Sequence, residues 1–183
     1  MLSDSIVWTS AKVSRQVIMG WFAKLFGYTT PPGIRIDFQN AWEVSAPKNI
    51  SAFIRKLTEI MPPGAILYLE STSSPSHITR ILDKIECEPQ AQVARGTIWP
   101  KPRCFHIPMT EKNLNAISEL LENNAQPEVC DHFHIYAENM ILLEWHDAFF
   151  NDPFLVTGQI SEEKLKVFCD SIRSSYQKAT GNS

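Results

Sequence analysis

Three observations predict an α+β fold, with amphipathic helices packed on one mixed or mainly antiparallel sheet, a C-terminal hairpin cluster and a closing helix. Segments with apolar residues at three-to-four spacing recur along the chain, as helices burying one face require. Short runs between them are alternating or continuously apolar, as strands require. His132 to Ala137 and Met140 to Trp145 flank Glu138-Asn139, which can serve as a two-residue hairpin turn. The 183 residues are 44% apolar, and a chain of this size buries about 70% of its unfolded surface, so one core forms without disulfide or metal staples.

The elements follow in order. Val13, Val17, Ile18, Trp21, Phe22 and Leu25 put one apolar face on a helix over 11–26, which the Thr29-Thr30-Pro31-Pro32-Gly33 segment ends. Residues 1–33 are therefore expected to be an N-terminal amphipathic helix with a Pro/Gly linker, and 34–183 a single α+β domain. Ile34 to Phe38 alternates as a strand. Pro47 opens a helix carrying Ile50, Phe53, Ile54, Leu57 and Ile60, and Pro62-Pro63-Gly64 stops it. Ala65 to Glu70 is apolar enough for a buried central strand. Ser74 as N-cap before Pro75 starts a helix with Ile78, Ile81, Leu82 and Ile85 facing inward. Thr97 to Trp99 and Arg103 to Ile107 are candidate strands, broken by Pro100 and Pro102. Thr110 caps the next helix and Ser161 the last, with a short strand at Phe154 to Thr157 between them.

Charge narrows the partners. Seventeen Lys and Arg face 20 Asp and Glu, for a net charge of -3, which argues against nucleic acid because that affinity comes from cations neutralising phosphates. The charge is uneven: Lys12, Arg15 and Lys24 against Asp4 make residues 1–30 locally basic and leave the body at -5. Residues 11–26 could lie on a membrane surface, but packing on the body is the plainer reading. The apolar run Val17 to Ala23 meets Lys24 after seven residues with no A-x-A-like cleavage site, so it reads as retained. Cys87, Cys104, Cys130 and Cys169 match no CxxC spacing and read as reduced thiols, giving a cytoplasmic expectation.

Chemistry concentrates between 130 and 152. Cys130, His132 and His134 stand two apart and would share a strand face, and Cys104 with His106 repeats the arrangement. Were those strands neighbours, the five could form a zinc site; the plainer reading is packed thiols and sheet-face histidines, with no metal and no cofactor. A two-residue turn pairs His134 with Leu143 and His132 with Trp145, which puts His146 on the opposite face from His132 and His134, whereas a three-residue turn would reverse this.

The following loop mixes aromatic and acidic residues, and Glu144, Trp145, His146, Asp147, Phe149 and Asp152 are its candidate binding residues. Ser71, Ser73, Ser74 and His77, at a strand-to-helix junction, are candidates for holding an anion. No P-loop, GxSxG, dinucleotide or kinase motif occurs. The two-histidine phosphoesterase pattern is not met either, since Pro108 and Tyr136 stand where Thr or Ser is needed. The leading expectation is a small non-catalytic binding or regulatory protein whose aromatic-acidic loop contacts a protein partner. One rival is an enzyme acting on a small anionic substrate, with His132 or His134 as acid-base group and Asp147 or Asp152 as its orienter. The other is a zinc-stabilised module.

Overall fold

A computed structural model describes residues 32–180. The expected helix over 11–26 lies outside them. The strands are β1 (Ala41–Val44), β2 (Ile66–Ser71), β3 (Arg103–Pro108), β4 (His132–Ala137), β5 (Met140–Trp145), β6 (Phe154–Thr157) and β7 (Tyr176–Lys178). The α-helices are α1 (Ile50–Lys56), α2 (Ser76–Leu82), α3 (Glu111–Asn123), α4 (Gln126–Val129) and α5 (Glu162–Ile172). All seven strands join one antiparallel sheet in the order β3-β2-β4-β5-β6-β1-β7. The α+β class read from the sequence is the class found.

Strand alternation sorts the residues between two faces. Leu67 and Leu69 of β2, Phe105 and Ile107 of β3, Phe133 and Ile135 of β4, and Leu143 and Trp145 of β5 all join the core that the helices cover. Phe53 of α1 anchors it, with ring centroids 5.8 Å from Phe133, 5.5 Å from Trp145, 5.4 Å from Phe154 and 6.0 Å from Phe168. Tilted and edge-on aromatic pairs of this kind add about 0.5–1.5 kcal/mol each beyond the area they bury. The residues in between, Ile66, Tyr68 and Tyr136 among them, form a second, smaller cluster with Val93 and Ile141. Among the described residues no helix covers this face. Chain from the 85–102 segment and from residues 34–37 does, joined by the Ile34–Val93 bridge.

The caps behave as expected where a free side chain precedes the helix. Thr110 Oγ1 accepts the Asn113 amide at 3.2 Å, and Ser161 Oγ accepts the Lys164 amide at 3.4 Å. Other expectations give way. The strand expected at 34–38 shrinks to one parallel bridge, and the strand that enters the sheet is 41–44. Thr97 to Trp99 is loop, because the Gly96 and Thr97 amides bond to a side chain and not to a neighbouring strand. Pro75, not Ser74, occupies the N-cap position of α2.

Candidate functional site

The hairpin register decides the site. Glu138-Asn139 form the two-residue turn, with Ala137 opposite Met140 and Tyr136 opposite Ile141, as the sequence suggests. The register then shifts, so that Ile135 faces Leu143, His134 faces Glu144 and Phe133 faces Trp145. Leu142 is the extra residue of a β-bulge, and it turns to the helix-covered side with its neighbour Leu143. One added residue reverses every later side chain. The expected separation of His146 is thereby overturned: its ring centroid lies 5.0 Å from His132 and 4.9 Å from His134. His132 and His134 stack 6.3 Å apart, and His134 stacks on Tyr68 of the adjoining strand at 5.7 Å.

Beside the imidazoles stands Glu70, fully buried at the end of β2. Its Oε1 accepts the Thr97 amide at 2.6 Å, while Oε2 accepts the Gly96 amide at 3.1 Å and the Tyr68 hydroxyl at 2.9 Å. Carboxylates are stable in such a setting only when several donors replace their lost water. The other polar groups of this face do similar work. Glu144 Oε2 accepts the Ile36 amide at 3.0 Å, His134 Nδ1 the Trp145 amide at 3.2 Å and Tyr136 Oη the Gln90 amide at 3.2 Å. Loops carry amides that no ladder satisfies, and the sheet face beneath them supplies the acceptors.

His132 links two loops. Its Nδ1 accepts the Asp147 amide at 3.1 Å, so the neutral ring carries its proton on Nε2 and donates it to Thr97 Oγ1 at 3.0 Å. Gly96 makes this approach feasible, since a Cβ there would stand 2.5 Å from His132 Cδ2. By the same reasoning His134 carries its proton on Nε2, which is buried and finds no partner among the described residues. Burial, then the nearby His146, holds His132 below the ordinary histidine range and lowers His134 to about 3. Burial opposes the charge on Glu144, yet its 2.8 Å bond to His146 and the amide of Ile36 help bring its carboxyl down to about 2.

Other sequence candidates disperse. Cys130 belongs to the helix-side core, where burial raises its thiol, and Cys104 and His106 lie on β3 with β2 between them and β4. Extended geometry puts residues two apart on one face only within a strand, and Cys130 precedes β4. Among the described residues no three His, Cys, Asp or Glu side chains are arranged to hold a metal ion. The anion junction is corrected too. Ser71 Oγ accepts from Ser74 N and Ser74 Oγ, and Asp131 Oδ2 takes the Thr72 amide and hydroxyl at 2.7 and 2.8 Å, so a carboxylate already fills the place of an anion. His77 bonds Asn124 at the surface.

Within the aromatic-acidic loop, Trp145 and Phe149 are buried and Trp145 Nε1 ties to the Asp152 carbonyl at 3.1 Å. Asp147, Phe150 and Asp152 stay exposed. The Ser71 side of β2 faces the helices while His132 and His134 face the loops, so the constellation needed for acid-base catalysis with an anion holder does not assemble. A cleft of about 840 Å³ at the hairpin tip, bordered by Met61, Gln90, Met140 and Lys164, contains none of the candidate residues.

Sequence reasoning missed Glu70, Gly96, Thr97 and Trp99. Glu70 left one trace, a charge closing an otherwise apolar strand. Nothing in the linear sequence connects residues 96–99 to residues 132–147. No protein-family model, curated protein or solved structure matches the chain. No helix among the described residues is long and apolar enough to cross a membrane.

Proposed function

We propose that this is a non-catalytic binding protein that engages a protein partner through two adjoining loops, 95–102 and 146–153. One observation carries the reading: Trp99 is 85% exposed on a loop whose backbone is pinned at Gly96 and Thr97 by a fully buried carboxylate. An indole held in water by a rigid support is the arrangement of a binding anchor, because little conformational entropy is lost on docking and tryptophan dominates interface energetics. Ile98 beside it is 47% exposed, and Phe150 on the other loop is 54% exposed. The two loops adjoin because both nitrogens of His132 hold them. Asp147 and Asp152 border the apolar groups and favour a partner with basic residues at its rim. A cytoplasmic setting accords with four unpaired thiols.

Affinity capture from the native host with wild type, Trp99→Ala and Phe150→Ala tests this. The expected result is one protein recovered by wild type and depleted at least tenfold by both variants, with thermal stability within about 0.5 kcal/mol of wild type as for other exposed sites. Equal recovery by all three proteins overturns the reading.

A further inference from the structure

We propose that His132 is a proton-operated latch: on acidification it takes a second proton at Nδ1 and releases the Asp147 amide, loosening the start of loop 146–152 while the 95–102 loop stays held. The inference rests on the docking reading only for its consequence, a looser presentation of one of the two docking loops in acid. The chemistry follows from the two bonds. Nδ1 is an acceptor only in the neutral ring, so a proton there sets one N–H against another and the Asp147 bond is lost. Nε2 keeps its hydrogen in both states. Glu70 Oε1 lies 4.0 Å from it, so the cationic ring gains an ion pair on the side of Gly96 and Thr97. One event therefore weakens one loop and strengthens the attachment of the other.

The release is local, at the exposed Asp147, because Ala148 and Phe149 stay packed in the core. Asp147 and Phe149 hold φ of 47° and 70°, the left-handed region that is unfavourable for a residue with a side chain. The Asp147 amide bond and the bond from the Ala148 amide to the Asp131 carbonyl, at 2.8 Å, oppose that strain. The groups facing His132 divide by sign. Glu70 on β2, Asp131 on its own chain and Asp147 on the loop favour the proton; burial and His146 oppose it. His134, stacked on the same side, is itself held neutral by burial and by the nearby His146, and adds no standing charge near pH 7. The balance delays protonation, so release falls below the ordinary histidine range.

Amide hydrogen exchange on the full chain between pH 7.5 and 4.5, corrected for intrinsic rates, tests the latch without any partner. In wild type the Asp147 amide should lose protection by roughly tenfold per pH unit below the His132 midpoint, the limit for one proton, while Gly96, Thr97 and the β2 amides hold theirs. His132→Asn, whose Oδ1 can accept the Asp147 amide but cannot titrate, should hold that protection constant across the range. Unchanged wild-type protection, equal loss at Gly96 and Thr97, or the same pH dependence in the variant overturns the latch. Should the variant not fold, the imidazole nitrogen shifts of wild-type His132 must titrate with the midpoint of Asp147 exchange, and separate midpoints overturn it as well. Because no partner enters, failure here leaves the docking reading intact, and failed capture leaves the exchange result intact.

Discussion

The two faces of the sheet are buried by different means. Helices cover one face, and because a helix satisfies its own amides, the sheet opposes it with Leu, Ile, Phe and Trp side chains. Loops cover the other, and their amides need partners, so the sheet opposes them with Glu70, His132, Tyr136 and Glu144. The same strands serve both faces through alternation alone. The difference teaches that the buried polar residues here are largely the acceptors of a loop layer, which an apolar helix-covered face does not need.

The largest effect should come from breaking the apolar face. Phe53→Ala removes a side chain in contact with four aromatic rings and should cost about 3–5 kcal/mol, read by urea denaturation with every element losing stability together. Acid attacks the other face. His134 is depressed to about 3 while an unfolded histidine titrates near 6.5, so its contribution is complete above about pH 6.5 and is lost as pH falls toward 3. Between pH 7 and 4 that one group should remove roughly 3 kcal/mol, a loss that His134→Gln should abolish from the pH dependence of unfolding. Glu144, depressed to about 2, has the same sign in a lower window: its share is present above about pH 4.5 and lost on further acidification. The smallest effect should follow Gly96→Ala, whose Cβ would press on the pinned His132 ring and displace the 95–102 loop at a cost of about 1–3 kcal/mol. In that variant the amides of Gly96 (now Ala) and Thr97 should exchange faster while those of α1 and α3 do not, and uniform loss would mean the two faces are not independent.

Much of the helix-covered face was legible in the sequence. The three-to-four spacing of Leu114, Ile117, Leu120 and Leu121, the caps Thr110 and Ser161 and the alternation in β4 are local signals, each set by neighbours within a turn or a pleat. The loop-covered face was legible only as a concentration of histidines and carboxylates. His146 was assigned to the wrong side because a bulge leaves no mark in a run as uniformly apolar as Met140-Ile141-Leu142-Leu143. Trp145 and Phe149 looked like binding residues and are core, whereas Trp99 was taken for strand and is exposed.

By itself, the sequence determined the α+β class, five of the seven strands' approximate positions and the apolar faces of the helices, because periodicity and capping are properties of consecutive residues. Only the tertiary structure decided that residues 96 and 97 meet Glu70 and that one imidazole holds two loops. Those contacts join chain segments dozens of residues apart, and their partners are single hydrogen bonds whose geometry depends on a register that one bulged residue resets.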